Sequence, residues 1–63
     1  MFHIAYDREE STEMYPRYFV YDDIDHFVHY KGTYTQCLIV VGAFSLDPTT
    51  TLEEIKNKCG DIL

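Results

Sequence analysis

Leu38-Ile39-Val40-Val41 is an unbroken apolar run, and a chain of 63 residues has few ways to hide one. Such runs belong to strands buried on both faces, usually central in their sheet. Gln36 to Phe44 therefore reads as a strand. Gly42 marks a bulge or a close approach within it, and Asp47-Pro48 ends it. The rest of the chain has to supply the cover. A single domain is all this length allows, and a domain this small buries only about 60% of the surface its unfolded form exposes. Its margin of stability is narrow unless a disulfide, a metal or a second copy adds to it.

The cover is read from periodicity. Phe2, Ile4 and Tyr6 alternate with His3, Ala5 and Asp7, as in a strand. Arg8 to Glu13 is a polar loop, and Pro16 marks a boundary. Arg17-Tyr18-Phe19-Val20-Tyr21, aromatic and β-branched, reads as a second strand. From Asp22 to Gly32 two structures compete. As a helix, Asp22 is the N-cap, Asp25 comes close to completing a capping box, and Gly32 is the C-terminal stop. At 100° per residue Ile24, Phe27, Val28 and the Lys31 stem then share an inner face, opposite Asp22, Asp25, His26 and His29. As a β-hairpin, Phe27–Tyr30 would pair with Tyr34–Cys37 around Lys31-Gly32. His, Phe, Val and Tyr are weak helix formers, but alternation mixes apolar and polar residues on both faces of such a strand, so the helix is preferred. A second helix starts at Thr50, with Glu53 completing a T-x-x-E box. Leu52, Ile55 and Cys59 line its inner face, and Gly60 ends it. The expected fold is one α+β domain, residues 1–63, with a small three-stranded sheet and two helices in the order β-β-α-β-α. Three strands leave two unguarded edges, which allow a homodimer.

Eleven Asp and Glu against five Lys and Arg give a net charge of −6. Phosphate contacts need Lys and Arg, so direct nucleic-acid binding is not expected; the field favours basic partners. No segment approaches the roughly 20 apolar residues of a membrane span. The N-terminus lacks the basic start and apolar run of an export signal, which points to the cytoplasm. Cys37 and Cys59 are then expected as reduced, buried thiols, and their spacing does not build a zinc site of cysteine pairs.

The most suggestive cluster is Asp22, Asp23, Asp25, His26 and His29. On a helix, imidazole and carboxylate at these spacings suit a divalent metal, so a small metal-binding domain using His26 and His29 with nearby Asp is one reading. Capping and the helix dipole account for the same residues without a metal, and no cofactor is expected. Nor is a catalytic residue assigned. Cys37 and Cys59 sit among apolar neighbours, Ser11 and Ser45 lack a partnered base, and Gly32, Gly42 and Gly60 form no phosphate loop. A chain this short also leaves little room for a catalytic cleft. The carboxylates fall into groups: Asp7, Glu9, Glu10 and Glu13; Asp22, Asp23 and Asp25; Asp47, Glu53 and Glu54. Three or four positions apart on a helix they stand about 5–6 Å apart at Cβ, near the phosphate spacing of a DNA strand, so a DNA-mimicking row is one reading and a plain solvated acidic face the other.

In size, negative charge and tyrosine content the chain resembles the small inhibitory proteins that phages and mobile elements encode. The resemblance covers composition along the whole chain and no motif. It implies a non-enzymatic inhibitor or adaptor that binds a basic, nucleic-acid-binding type of surface on a larger protein. Glu9, Glu10, Glu13, Asp22, Asp23 and Asp25 would supply charge for association, and Tyr15, Tyr18 and Tyr21 would anchor the complex. The alternatives are the metal-binding domain and a self-oligomerising domain with no separate activity.

Overall fold

The computed structural model describes residues 1–60 and 63. Three strands come first, β1 (Phe2–Tyr6), β2 (Tyr18–Asp22) and β3 (Val28–Gly32), followed by two helices, α1 (Tyr34–Leu46) and α2 (Leu52–Lys58). The α+β class and the content of three strands and two helices are as expected. The order is not: the segment read as the first helix contains β3, and the segment read as the buried strand is α1.

Both exchanges have a local cause. Asp22 and Asp25 do cap, but they cap a turn. Asp22 Oδ1 accepts from Ile24 N–H at 2.8 Å and Asp25 Oδ1 from Phe27 N–H at 2.9 Å, the Asx geometry that competes with helix. The chain then reverses, and β3 pairs antiparallel with β2 rather than with Tyr34–Cys37. The helix signal lies two turns later. Thr33 Oγ1 accepts from Gln36 N–H at 3.2 Å while Gln36 Oε1 accepts from Thr33 N–H at 2.9 Å, a complete capping box. Apolar residues surround α1 on all sides, so no period shows in its sequence, and length arbitrates instead. Its 13 residues exceed what a strand in so small a sheet uses. Asp47 ends it, with its N–H on Ala43 C=O at 3.0 Å. α2 starts one residue later than expected: Thr51 Oγ1 accepts from Glu54 N–H at 3.2 Å, and Thr50 Oγ1 donates to Glu54 Oε2 at 3.0 Å.

The sheet runs β1-β2-β3, antiparallel throughout, with a register shift between Val20 and Tyr21. α1 lies across one face. Val20, Cys37, Val40, Phe44 and Ile55 form the buried core, flanked by Phe2, Ile4, Tyr18, Tyr30 and Leu52. Phe2 stacks on Phe44 with ring centroids 4.5 Å apart, and the register shift turns His29 to the same side, 5.2 Å from Phe2. Gly32 is buried where β3 turns into α1. A Cβ there would stand 2.5 Å from Gln36 Oε1 and 2.9 Å from Tyr30 Cε2, so glycine lets the capping box close against the sheet. On the sheet's other face lie His3, Phe19, Tyr21 and Val28, with His3 stacked on Tyr21 at 5.4 Å. Cys37 is fully buried and Cys59 half-buried, both as free thiols. Among the described residues no helix is long and apolar enough to cross a membrane.

Candidate functional site

The nine residues expected to bind a partner do not form one surface. Glu9, Glu10, Glu13 and Tyr15 lie in the exposed loop between β1 and β2. Asp7 organises its start, accepting at Oδ1 from Glu9 N–H at 3.1 Å and Glu10 N–H at 3.2 Å. Lys31 reaches across to Glu10 at 3.5 Å and Asp7 at 3.9 Å. Asp22, Asp23 and Asp25 lie at the opposite end of β2, about 17 Å away for a strand of this length. Tyr18 and Tyr21, three residues apart on a strand, point to opposite faces. Tyr18 packs edge-on between Tyr6 and Tyr34, with centroids 5.4 and 5.1 Å away, and is part of the packing. Tyr21 is half-buried on the open face beside His3 and Phe19.

What the fold does bring together is the turn between β2 and β3. Asp22 N–H donates to Phe27 C=O at 3.3 Å, and His26 N–H donates to Asp22 C=O at 2.8 Å. His26 takes φ 61° to close the turn, a left-handed conformation that His, Asn and Asp adopt more readily than most residues. Asp23 accepts from the chain-terminal ammonium of Met1 at 2.9 Å and lies 3.2 Å from His3 Nε2; Asp25 lies 3.3 Å from His29 Nε2. These contacts engage both oxygens of each carboxylate, yet the two side chains stay at the surface, 48% exposed for Asp23 and 40% for Asp25. The hydrogen bond from the ammonium, joined by the one to His3, lowers the Asp23 pKa to about 2.

The turn also displays two large apolar side chains. Ile24 is 82% exposed and Phe27 69%. A helix would have turned both inward with Val28; the hairpin turns them out. Each forfeits on the order of 1.5–3 kcal/mol of burial while it stays in water, and a partner that covers it recovers that. Sequence reasoning missed them because it assigned them to a core face. The signal was present in the clustered Asp residues, which favour turns as strongly as helix starts.

The other arrangements expected on a helix go with it. Asp22, Asp25, His26 and His29 do not share a helical face, and no row of carboxylates at helical spacing forms here. Among the described residues no group of three or more His, Cys, Asp or Glu is placed to hold a metal ion. No family model, no curated protein and no solved structure matches this chain.

Proposed function

We propose that this protein is a small acidic, non-enzymatic interaction protein, an inhibitor or adaptor acting in the cytoplasm. Its β2–β3 turn inserts into an apolar pocket rimmed by Lys and Arg on a larger protein. The observation that carries the reading is the pairing of exposed Ile24 and Phe27 with Asp23 and Asp25 on a turn braced by its own side chains. A braced turn loses little freedom on binding. Apolar anchors supply residence time, and carboxylates around them steer the approach to a basic rim. The net charge of −6 adds to that steering. The acidic β1–β2 loop, with Glu9, Glu10, Glu13 and exposed Tyr15, extends the charged surface at the other end of the sheet.

The test uses two baits side by side: the wild-type chain and an Ile24→Ser/Phe27→Ser variant. Both positions are exposed, so the variant keeps its fold to within about 0.5 kcal/mol. A specific partner is retained by the first bait and lost from the second. With that partner in hand, Phe27→Ser speeds dissociation about tenfold or more. Asp23→Asn/Asp25→Asn slows association, and the wild-type association rate falls steeply as added salt shortens the screening length. Equal retention on both baits, or a partner whose contact surface is acidic, sinks the reading.

A further inference from the structure

β1 is an outer strand, and the ends of its ladder reveal which way its backbone points. Asp23 N–H donates to Met1 C=O at 3.2 Å and Asp7 N–H to Arg17 C=O at 2.9 Å, both continuing the β1–β2 register. Hydrogen-bonded pairs alternate along an antiparallel ladder. Met1, His3, Ala5 and Asp7 therefore turn their groups toward β2, and Phe2, Ile4 and Tyr6 turn theirs away from the sheet. The strand carries no proline, lysine or bulge, the devices that blunt an edge.

The helix above this edge is also bare. Tyr34, Leu38, Val41 and Ser45 follow one flank of α1. Ser45 borders the same depression as Phe2, and Tyr34 packs on Tyr18, which packs on Tyr6, so this flank lies toward β1. The opposite flank is occupied: Ala43 and Leu46 border Ile55 and Cys59 of the α2 region, and Gln36 sits against Gly32 at the end of β3. No residue from Tyr34 to Leu46 is charged. Leu38 is 48% exposed and Tyr6 50%.

We infer that two copies of this chain pair antiparallel through β1, about a two-fold axis at Ile4, into one six-stranded sheet. The strand is its own complement. Its outward groups, on Phe2, Ile4 and Tyr6, are symmetric about Ile4, so Ile4 meets Ile4 and Phe2 of one copy meets Tyr6 of the other. Both pairs fall at hydrogen-bonded positions of the new ladder. On the open face His3 comes opposite Ala5, large against small. Such an isologous contact closes on itself and leaves no free β1 edge. Charge selects a second copy over an acidic or basic protein. The patch is uncharged in a chain of net charge −6, and Asp7, the first carboxylate beyond the strand, comes opposite Met1 rather than another Asp7. The uncharged α1 flanks approach each other on one side of the sheet. The two Asp-rich turns end at opposite ends of it and do not face each other; each lies beside the other copy's Asp7, with the Met1 ammonium, 2.9 Å from Asp23, between the two carboxylate groups.

Sedimentation equilibrium tests this on three chains: wild type, wild type synthesised with N-methyl-Ile4, and Leu38→Lys. Between about 1 µM and about 1 mM the wild-type mass should rise from that of one chain toward two. N-methylation deletes an amide that the monomer does not use, so its melt at high dilution matches wild type, while the dimer weakens about tenfold or more. Leu38→Lys places like charges at the approaching helix flanks and weakens it as well. A wild type that stays monomeric throughout, or a dimer unaffected by N-methyl-Ile4, overturns the inference. So does an N-methyl-Ile4 chain that fails to fold, since the amide would then be bonded within one copy. Phe27→Ser leaves the dimer unchanged, which separates this edge from the turn.

Discussion

Asp23 shows how much one carboxylate does in a fold this small. It ties the start of β1 to the β2–β3 turn through the Met1 ammonium at 2.9 Å and His3 at 3.2 Å. Its pKa is lowered to about 2 from 3.8, by the ammonium first and His3 second. The ammonium is raised above 8.0, chiefly by the same hydrogen bond. The depressed carboxyl contributes fully above 3.8 and loses its contribution as pH falls toward about 2. The raised ammonium contributes fully below 8.0 and loses its contribution as pH climbs through its folded value. In the folded chain the contact therefore holds from above about 2 to beyond 8.0, while its contribution is full only between 3.8 and 8.0. Both groups are exposed, so the effect is read as a titration rather than as stability. Carbon-13 NMR of the Asp23 carboxyl should give a midpoint near 2, and acetylating the terminal amine should move it up toward 3.8.

At the scale of elements, α1 runs against the preferences of its own residues. Ile39, Val40 and Val41 are β-branched and lose side-chain freedom in a helix. The helix forms because Thr33 and Gln36 close its first turn and because the sheet covers Cys37, Val40 and Phe44. Thr33→Ala removes the acceptor for Gln36 N–H and should cost about 1 kcal/mol in denaturant unfolding; Thr33→Ser keeps the acceptor and should cost only a few tenths. Equal losses for the two would show that the cap contributes nothing to α1. The turn at Asp22–Phe27 is the converse. Asp at such a position offers its carboxylate to a neighbouring backbone N–H whether a helix or a hairpin follows, so the residue alone does not decide between them.

For the whole molecule the decisive quantity is how little is buried. Among the described residues the buried apolar set is Val20, Cys37, Val40, Phe44 and Ile55, and of the two helices α1 is the one that packs on the sheet. A chain of 63 residues is stable by about 3–9 kcal/mol on the usual per-residue range. Truncating one large core side chain costs about 3–5 kcal/mol. Phe44, stacked on Phe2 and facing His29, is the residue where these two magnitudes meet. Phe44→Ala should leave a substantial unfolded fraction at 25 °C, visible as lost near-ultraviolet circular dichroism, while Phe44→Leu retains a cooperative thermal transition at lower temperature. A fully folded Phe44→Ala chain would place the stabilising contacts elsewhere.

Local chemistry in the sequence determined β1, β2 and the inner face of α2, because alternation at Phe2-Ile4-Tyr6, the aromatic run at Tyr18–Tyr21 and the Leu52-Ile55 spacing each admit one structure. The three-strand, two-helix content came out as expected because the two misread segments exchanged, the one read as a helix holding β3 and the one read as a strand forming α1. Tertiary structure decided the rest. Leu38–Val41 carries no period, since it is apolar in every direction, and whether it lies flat as a strand or winds as a helix depends on what covers it. Only when β3 pairs with β2 does a single sheet face need a helix as its cover, and the uncharged segment after Thr33 is the one that reaches across it. The same choice moved Ile24 and Phe27 from an imagined core to the surface. The proposed interaction site was illegible for that reason: exposure belongs to the folded arrangement, and the side chains that stay in water are known only once the sheet has chosen its partners.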